Sequence, residues 1–179
     1  MALRPPTNPS WEAVKKLAGK KIEVKGHDNS IKEVIFETEE IPVAYEPILN
    51  KVPEFHQNIE KNYKYYIHVG HGHDGVINIE TLAHKKGYYL KDNLLQTPEG
   101  GVCPAYDPEE VKTSCDVKCL VEYLCNQKGW GQIYPNDDAG RYLCEYTFYV
   151  SLCENIKKIK SWNGIICSCP KRRSSLFNR

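Results

Sequence analysis

The period of apolar positions changes repeatedly along this chain, and each change marks an element. In WEAVKKLAGK, Trp11, Val14, Leu17 and Ala18 fall on one helical face, with Ser10 placed to cap its start and Gly19 to stop it. KEVIFET, residues 32–38, reads as a strand that Ile41-Pro42 breaks. From Val43 to Ile59 the spacing turns helical, with prolines early and midway. YKYYIHVG, residues 63–70, is the clearest strand, aromatic and β-branched and closed by Gly70. GVINIETLA, residues 75–83, is another.

A loop rich in Gly and Pro follows, around QTPEGGVCPAYDP. Asp107-Pro108 then opens a helix in which Val111, Cys115, Cys119 and Leu120 share a side that Leu124 extends, and Lys128-Gly129 ends it. GQIYP is a short strand, Asp137-Asp138 cap a helix from Gly140 to Lys160, and NGIICSC reads as a last buried strand. Helix and strand alternate, which predicts an α/β fold with a mostly parallel sheet. A length of 179 residues predicts one domain.

Charge adds little. With 24 basic and 23 acidic residues, the chain has no bulk field to draw nucleic acid or an anionic membrane, and neither is an expected partner. Lys171-Arg172-Arg173 is read as a solvated basic run. MALRPPTNPSW lacks the apolar core of a signal peptide, and no run approaches the ~18 apolar residues of a membrane span. The eight cysteines form no CxxC pair, so the expectation is a reduced, cytoplasmic protein without structural zinc.

Two places carry candidate chemistry. Cys144 lies in AGRYLCEYTFY, near the start of a predicted helix, where backbone N–H groups carry about half a positive charge and favour a thiolate. A cysteine among Tyr142, Leu143, Tyr146, Phe148 and Tyr149 equally suits a buried helix face. IHVGHGHDG, residues 67–75, gathers His68, His71, His73 and Asp74 at the end of a predicted strand, where ligands bind in open α/β sheets. Imidazoles with that spacing suit a metal-binding loop, and a polar loop of exposed histidines is the plainer reading.

NPSW at 8–11, EIPVAYE at 40–46, IHVG, IETLAHKKGYYLKDN and AGRYLC followed by YTFY occur in one order. In that order, from about Asn8 to Pro170, the chain resembles pyroglutamyl peptidase I, a family of cytosolic cysteine peptidases. The resemblance implies a three-layer α/β/α sandwich and an omega-peptidase that removes pyroglutamate from peptide N-termini without a cofactor. It further implies Cys144 as nucleophile, Glu80 as the acidic member of a Cys-His-Glu triad, and Tyr142 and Leu143 as walls of the lactam pocket. In such a triad the histidine takes the thiol proton and the carboxylate fixes its tautomer.

The sequence departs from the family at three points. Ser168, in GIICSCP, stands where the family has its histidine, and no histidine follows His84. The family's first apolar strand with its Gly-Phe-rich loop, and its final helix, have no counterpart, so the expected unit is one domain over 1–179, shorter than the family at both ends. Two alternatives stand beside a working peptidase. One is a non-catalytic homologue that binds pyroglutamyl peptides or a protein partner. The other is a metal-dependent hydrolase built on His68, His71, His73 and Asp74.

Overall fold

The structure is a computed structural model describing residues 8–26, 29–72, 75–104 and 106–161. The first helix, α1 (Pro9–Val14), continues as a 3-10 turn over Lys15–Leu17. Its cap is Asn8 rather than Ser10: the Asn8 side chain accepts the Ser10 N–H at 3.1 Å, and Pro9 takes the first helical position, where a missing N–H costs nothing. β1 (Lys21–Lys25) and β2 (Ile31–Ile35) form an antiparallel hairpin with Glu23 opposite Glu33. Only the second of these strands was legible in the sequence. The helical spacing after Val43 becomes α2 (Tyr45–Gln57), which tolerates Pro53 in its interior and buries Tyr45, Ile48, Val52 and His56. Its first N–H is capped from a distance: Asp92 accepts from Tyr45 N at 3.0 Å while its other oxygen holds the N–H groups of Leu94 and Gln96.

The stretch 63–70 forms no strand. Tyr65, Ile67 and Val69 are exposed, and none of its backbone groups joins a ladder among the described residues. Aromatic and β-branched residues favour extended backbone, but a strand exists only with a neighbour to pair with. The stretch 75–83 is two strands, β3 (Ile77–Glu80) and β4 (Leu82–His84). They part at Thr81, whose N–H and hydroxyl both donate to the Asn136 carbonyl, at 2.7 and 3.0 Å. Beyond that point the chain changes partner. β3 runs parallel to β6 (Ile133–Asn136), and β4 runs antiparallel to β5 (Glu110–Lys112).

The helix expected from Asp107 begins instead at Val117 as α3 (Val117–Lys128), capped by Asp116, which accepts the Cys119 N–H at 2.9 Å. It ends, as the sequence indicates, at Gly129 in the left-handed conformation. Residues 110–112 go to β5 because their period is two: Val111 is buried between exposed Glu110 and Lys112. The last described element is α4 (Leu143–Ser161). Residues 163–169, read as a final strand, and Ser168 with them, lie outside the described residues.

α4 packs along α2, and this contact holds the core. The centre is aromatic. Tyr146 meets Tyr45 and Tyr88 edge to face, with ring centroids 4.9 Å apart in both pairs. Buried phenols need acceptors, and the backbone supplies most of them: Tyr45 donates to the Leu90 carbonyl, Tyr149 to that of Pro108 and Tyr88 to that of His84. Tyr106 donates to the Glu154 carboxylate at 2.6 Å. The class is α/β, and of the three ladders among the described residues one is parallel. No helix among the described residues is long and apolar enough to cross a membrane.

His56 gives this core a pH dependence. It is buried, stacked on Tyr66, and its Nε2 lies 2.8 Å from the Ser151 hydroxyl, while Nδ1 has no hydrogen-bond partner. Burial lowers its pKa from 6.5 to about 4; Glu154 acts against that shift and Lys158 with it. The unfolded chain therefore binds a proton that the folded chain refuses, and stability falls as pH drops from 6.5 towards 4. Urea midpoints measured across that window should decline for the native chain, and the decline should be shallower for His56→Gln.

Candidate active site

β3 and β6 end together. Glu80 and Asn136 are register partners at the carboxyl ends of the only parallel pair among the described residues, and the chain then turns through 137–142 into α4. This is where parallel strands place ligand chemistry. Asn136 Nδ2 donates to Glu80 Oε2 at 2.8 Å and to the Asp138 carbonyl at 2.7 Å, so one amide ties the Glu80 carboxylate to the turn that leads into α4. Glu80 is half-buried. Burial pushes its pKa up, the Asn136 hydrogen bond opposes this, and the acidic neighbours Glu145, Asp138 and Asp137 add to it.

Cys144 is the second residue of α4, a free cysteine exposed to solvent. Desolvation by the surrounding protein raises its thiol pKa. The Glu80 carboxylate raises it further, and the residue's own backbone N–H works the other way. Sulfur and carboxylate are therefore within electrostatic reach. Gly70 closes the other side: a Cβ at that position would stand 2.6 Å from Cys144 Sγ. The residue that ends the IHVG run is thus a glycine because a sulfur occupies the space a side chain would need.

The other sequence candidates divide. Leu143 is buried in the core cluster. Tyr142 packs edge to face on Tyr45 and donates from its hydroxyl to the Lys91 carbonyl at 3.1 Å. His68 and His71 are exposed as residues, and neither bonds to Cys144 or Glu80; desolvation lowers the His68 imidazole pKa to about 4, and His56 adds to the shift. His73 and Asp74 lie outside the described residues, and among those described no three His, Cys, Asp or Glu residues converge as metal ligands would. A surface depression along α2, lined by Leu49, Pro53, Glu54 and Gln57 among others, contains none of the candidates.

Four residues at this site were not singled out from sequence: Asn136, Gly70, Glu145 and His84. Glu145 had a signal. It is the third residue of α4, and a glutamate there reaches back to N–H groups before the helix. Its Oε2 accepts the Arg141 N–H at 2.9 Å. The expected cap, Asp138, accepts instead from Gly140 N and the Arg141 guanidinium, at 3.0 and 2.8 Å, and so shapes the turn rather than the helix end.

Comparison with known proteins places the chain in a family. The chain is 28% identical over 149 residues to human pyroglutamyl-peptidase 1, covering 83% of this chain and 66% of that protein. It is 29% identical over 146 residues to the Rattus norvegicus protein of the same name, covering 81% and 65%. It thus spans just under two thirds of the length of these relatives. Among solved structures, pyrrolidone carboxyl peptidase from the hyperthermophile Pyrococcus furiosus superposes with a TM-score of 0.68 at 25% identity, covering 86% of this chain and 68% of that one. The pyroglutamyl peptidase family model matches residues 4–167, nearly the whole chain, and the chain belongs to that family.

Proposed function

We propose that this chain is a cysteine peptidase acting on peptides with an N-terminal pyroglutamate. The observation that carries the reading is Cys144 in the first turn of α4, exposed, with its sulfur against Gly70 and within electrostatic reach of the Glu80 carboxylate that Asn136 holds. In this reading Cys144 Sγ attacks the carbonyl carbon of the amide after the lactam residue. The amine leaves with a proton, and water then cleaves the thioester. N–H groups at the start of α4 favour the negative charge that develops on the carbonyl oxygen. In this reading Tyr142, just before α4, and Leu143, its first residue and packed into the core, border the neutral lactam ring. Six free cysteines among the described residues support a reducing, cytoplasmic setting.

A second reading, binding of pyroglutamyl peptides without cleavage, is favoured by one observation. No described histidine bonds to Cys144, and the thiol pKa is raised, so the thiolate is not formed by its surroundings alone. A purified sample with a fluorogenic pyroglutamyl amide separates the two: release of the fluorophore supports the peptidase, and saturable binding without release supports the second.

Glu80→Gln should split two measurements that usually move together. If Glu80 is the acidic member that the family triad implies, its loss lowers turnover by about 10⁴-fold. The same change removes the anion that raises the Cys144 pKa, so iodoacetamide should label Cys144 faster at neutral pH. Labelling that slows, or turnover that survives, would remove Glu80 from the site.

A further inference from the structure

The residue after the sulfur carries the most heavily bonded side chain of the molecule's described part. Glu145 has 0% side-chain exposure, and five contacts converge on its carboxylate. One guanidinium nitrogen of Arg141, Nη1, donates to Oε1 and Oε2 at 2.9 and 3.0 Å, and the Arg141 backbone N–H reaches Oε2 at 2.9 Å. From β4, the His84 N–H reaches Oε1 at 3.2 Å and its Nδ1 lies 2.7 Å away. A carboxylate that binds two guanidinium contacts can only accept from the imidazole, so His84 donates through Nδ1. Its Nε2 faces Glu110 at 3.6 Å.

These contacts join three pieces of chain at one point. Arg141 itself sits at φ +49°, left-handed backbone that an arginine rarely adopts, immediately before the helix that carries Cys144. Holding it there costs of order 1 kcal/mol or more, and persists only when neighbours over-determine it. Gly87 makes room for the clamp: at φ +108°, with a Cβ it would stand 2.9 Å from the Arg141 side chain.

The geometry points to Glu145 as a positioning residue for Cys144. With Arg141 and His84, its buried carboxylate locks the turn before α4 to β4, and so sets where the sulfur stands against Glu80 and Gly70 without itself touching substrate. The inference rests on Cys144 being the nucleophile proposed above.

Its test compares three variants by the pH dependence of Cys144 alkylation with iodoacetamide, followed by mass analysis of the labelled peptide. Glu145→Gln keeps the shape and removes the charge. Arg141→Lys keeps the charge and replaces the guanidinium, whose Nη1 both Glu145 oxygens and Asp138 share, with a shorter side chain that does not reach all three. Glu154→Gln makes the same chemical change at a buried carboxylate further along α4, where it holds Tyr106 and Lys157. Expected are changes of about threefold or more in the alkylation rate at neutral pH for the first two, equivalent to about half a pH unit in the profile, and none for Glu154→Gln. The inference is overturned if Arg141→Lys behaves as the native chain, which would leave only a charge effect. It is equally overturned if Glu154→Gln shifts the profile as far. If Glu145→Gln shows no cooperative unfolding transition, Arg141→Lys against Glu154→Gln carries the decision. The peptidase reading is tested separately, because pyroglutamyl amide turnover that survives Cys144→Ser would defeat that reading whatever the alkylation profiles show.

Discussion

Cys144→Ser should lower pyroglutamyl amide turnover by about 10⁴-fold or more if Cys144 is the proposed nucleophile, the expected loss for a group that acts as one unit with its partners. The substitution is nearly isosteric and the site is exposed, so the folded structure has no reason to respond. The unfolding midpoint should stay within the small range of surface substitutions, about 0.5 kcal/mol. The contrast between the two measurements is the content of the prediction. Lost turnover with lost stability would mean that the sulfur is a packing atom of α4. Retained turnover would mean that the chemistry lies elsewhere.

Tyr146→Ala should be the most damaging single change to the fold. The ring is buried between Tyr45 and Tyr88, and replacing a large buried aromatic by alanine costs about 3–5 kcal/mol. Against a typical total of about 5–15 kcal/mol, that is a large share of what holds such a domain together. Tyr146→Phe keeps the ring and gives up only the hydroxyl's contact with Cys103, at about 1 kcal/mol. Urea unfolding of the two variants side by side separates ring packing from hydroxyl bonding. A Tyr146→Phe loss as large as that of Tyr146→Ala would place the energy in the hydroxyl.

The elements that local pattern foretold are those whose stability is local. α2 and α4 announce themselves through helical spacing, and the end of α3 through Lys128-Gly129, because caps and apolar faces are written in neighbouring residues. Elements defined by a distant partner were misread. Residues 63–70 have strand composition and no ladder, and residues 110–112 were absorbed into a helix because Val111, Cys115 and Cys119 also fit a period of four. The switch of partners at Thr81 depends on Asn136, fifty-five residues away, and no local pattern encodes it.

The site divides along the same line. Cys144 stands out by its place at a predicted helix start, the resemblance alone singles out Glu80 and gives both their roles, and the structure brings sulfur and carboxylate within electrostatic reach. Their supports were not assigned. Asn136 matters because β3 and β6 are register partners, and Gly70 because its missing side chain leaves room for a sulfur seventy-four positions later. Both roles arise from approach in space, which a single sequence records only as an ordinary asparagine and an ordinary glycine.

α4 spends its first turn on Cys144, the nucleophile proposed above, and its later turns on the seam with α2. A protein with its chemistry on a surface loop can lose activity while its interior survives, or keep a serviceable site on a loosened frame. Here one rigid rod serves both purposes, so warming that parts the two helices also carries the thiol out of register. On the peptidase reading, heat inactivation and melting of the interior are then a single event, with no silent folded form between them.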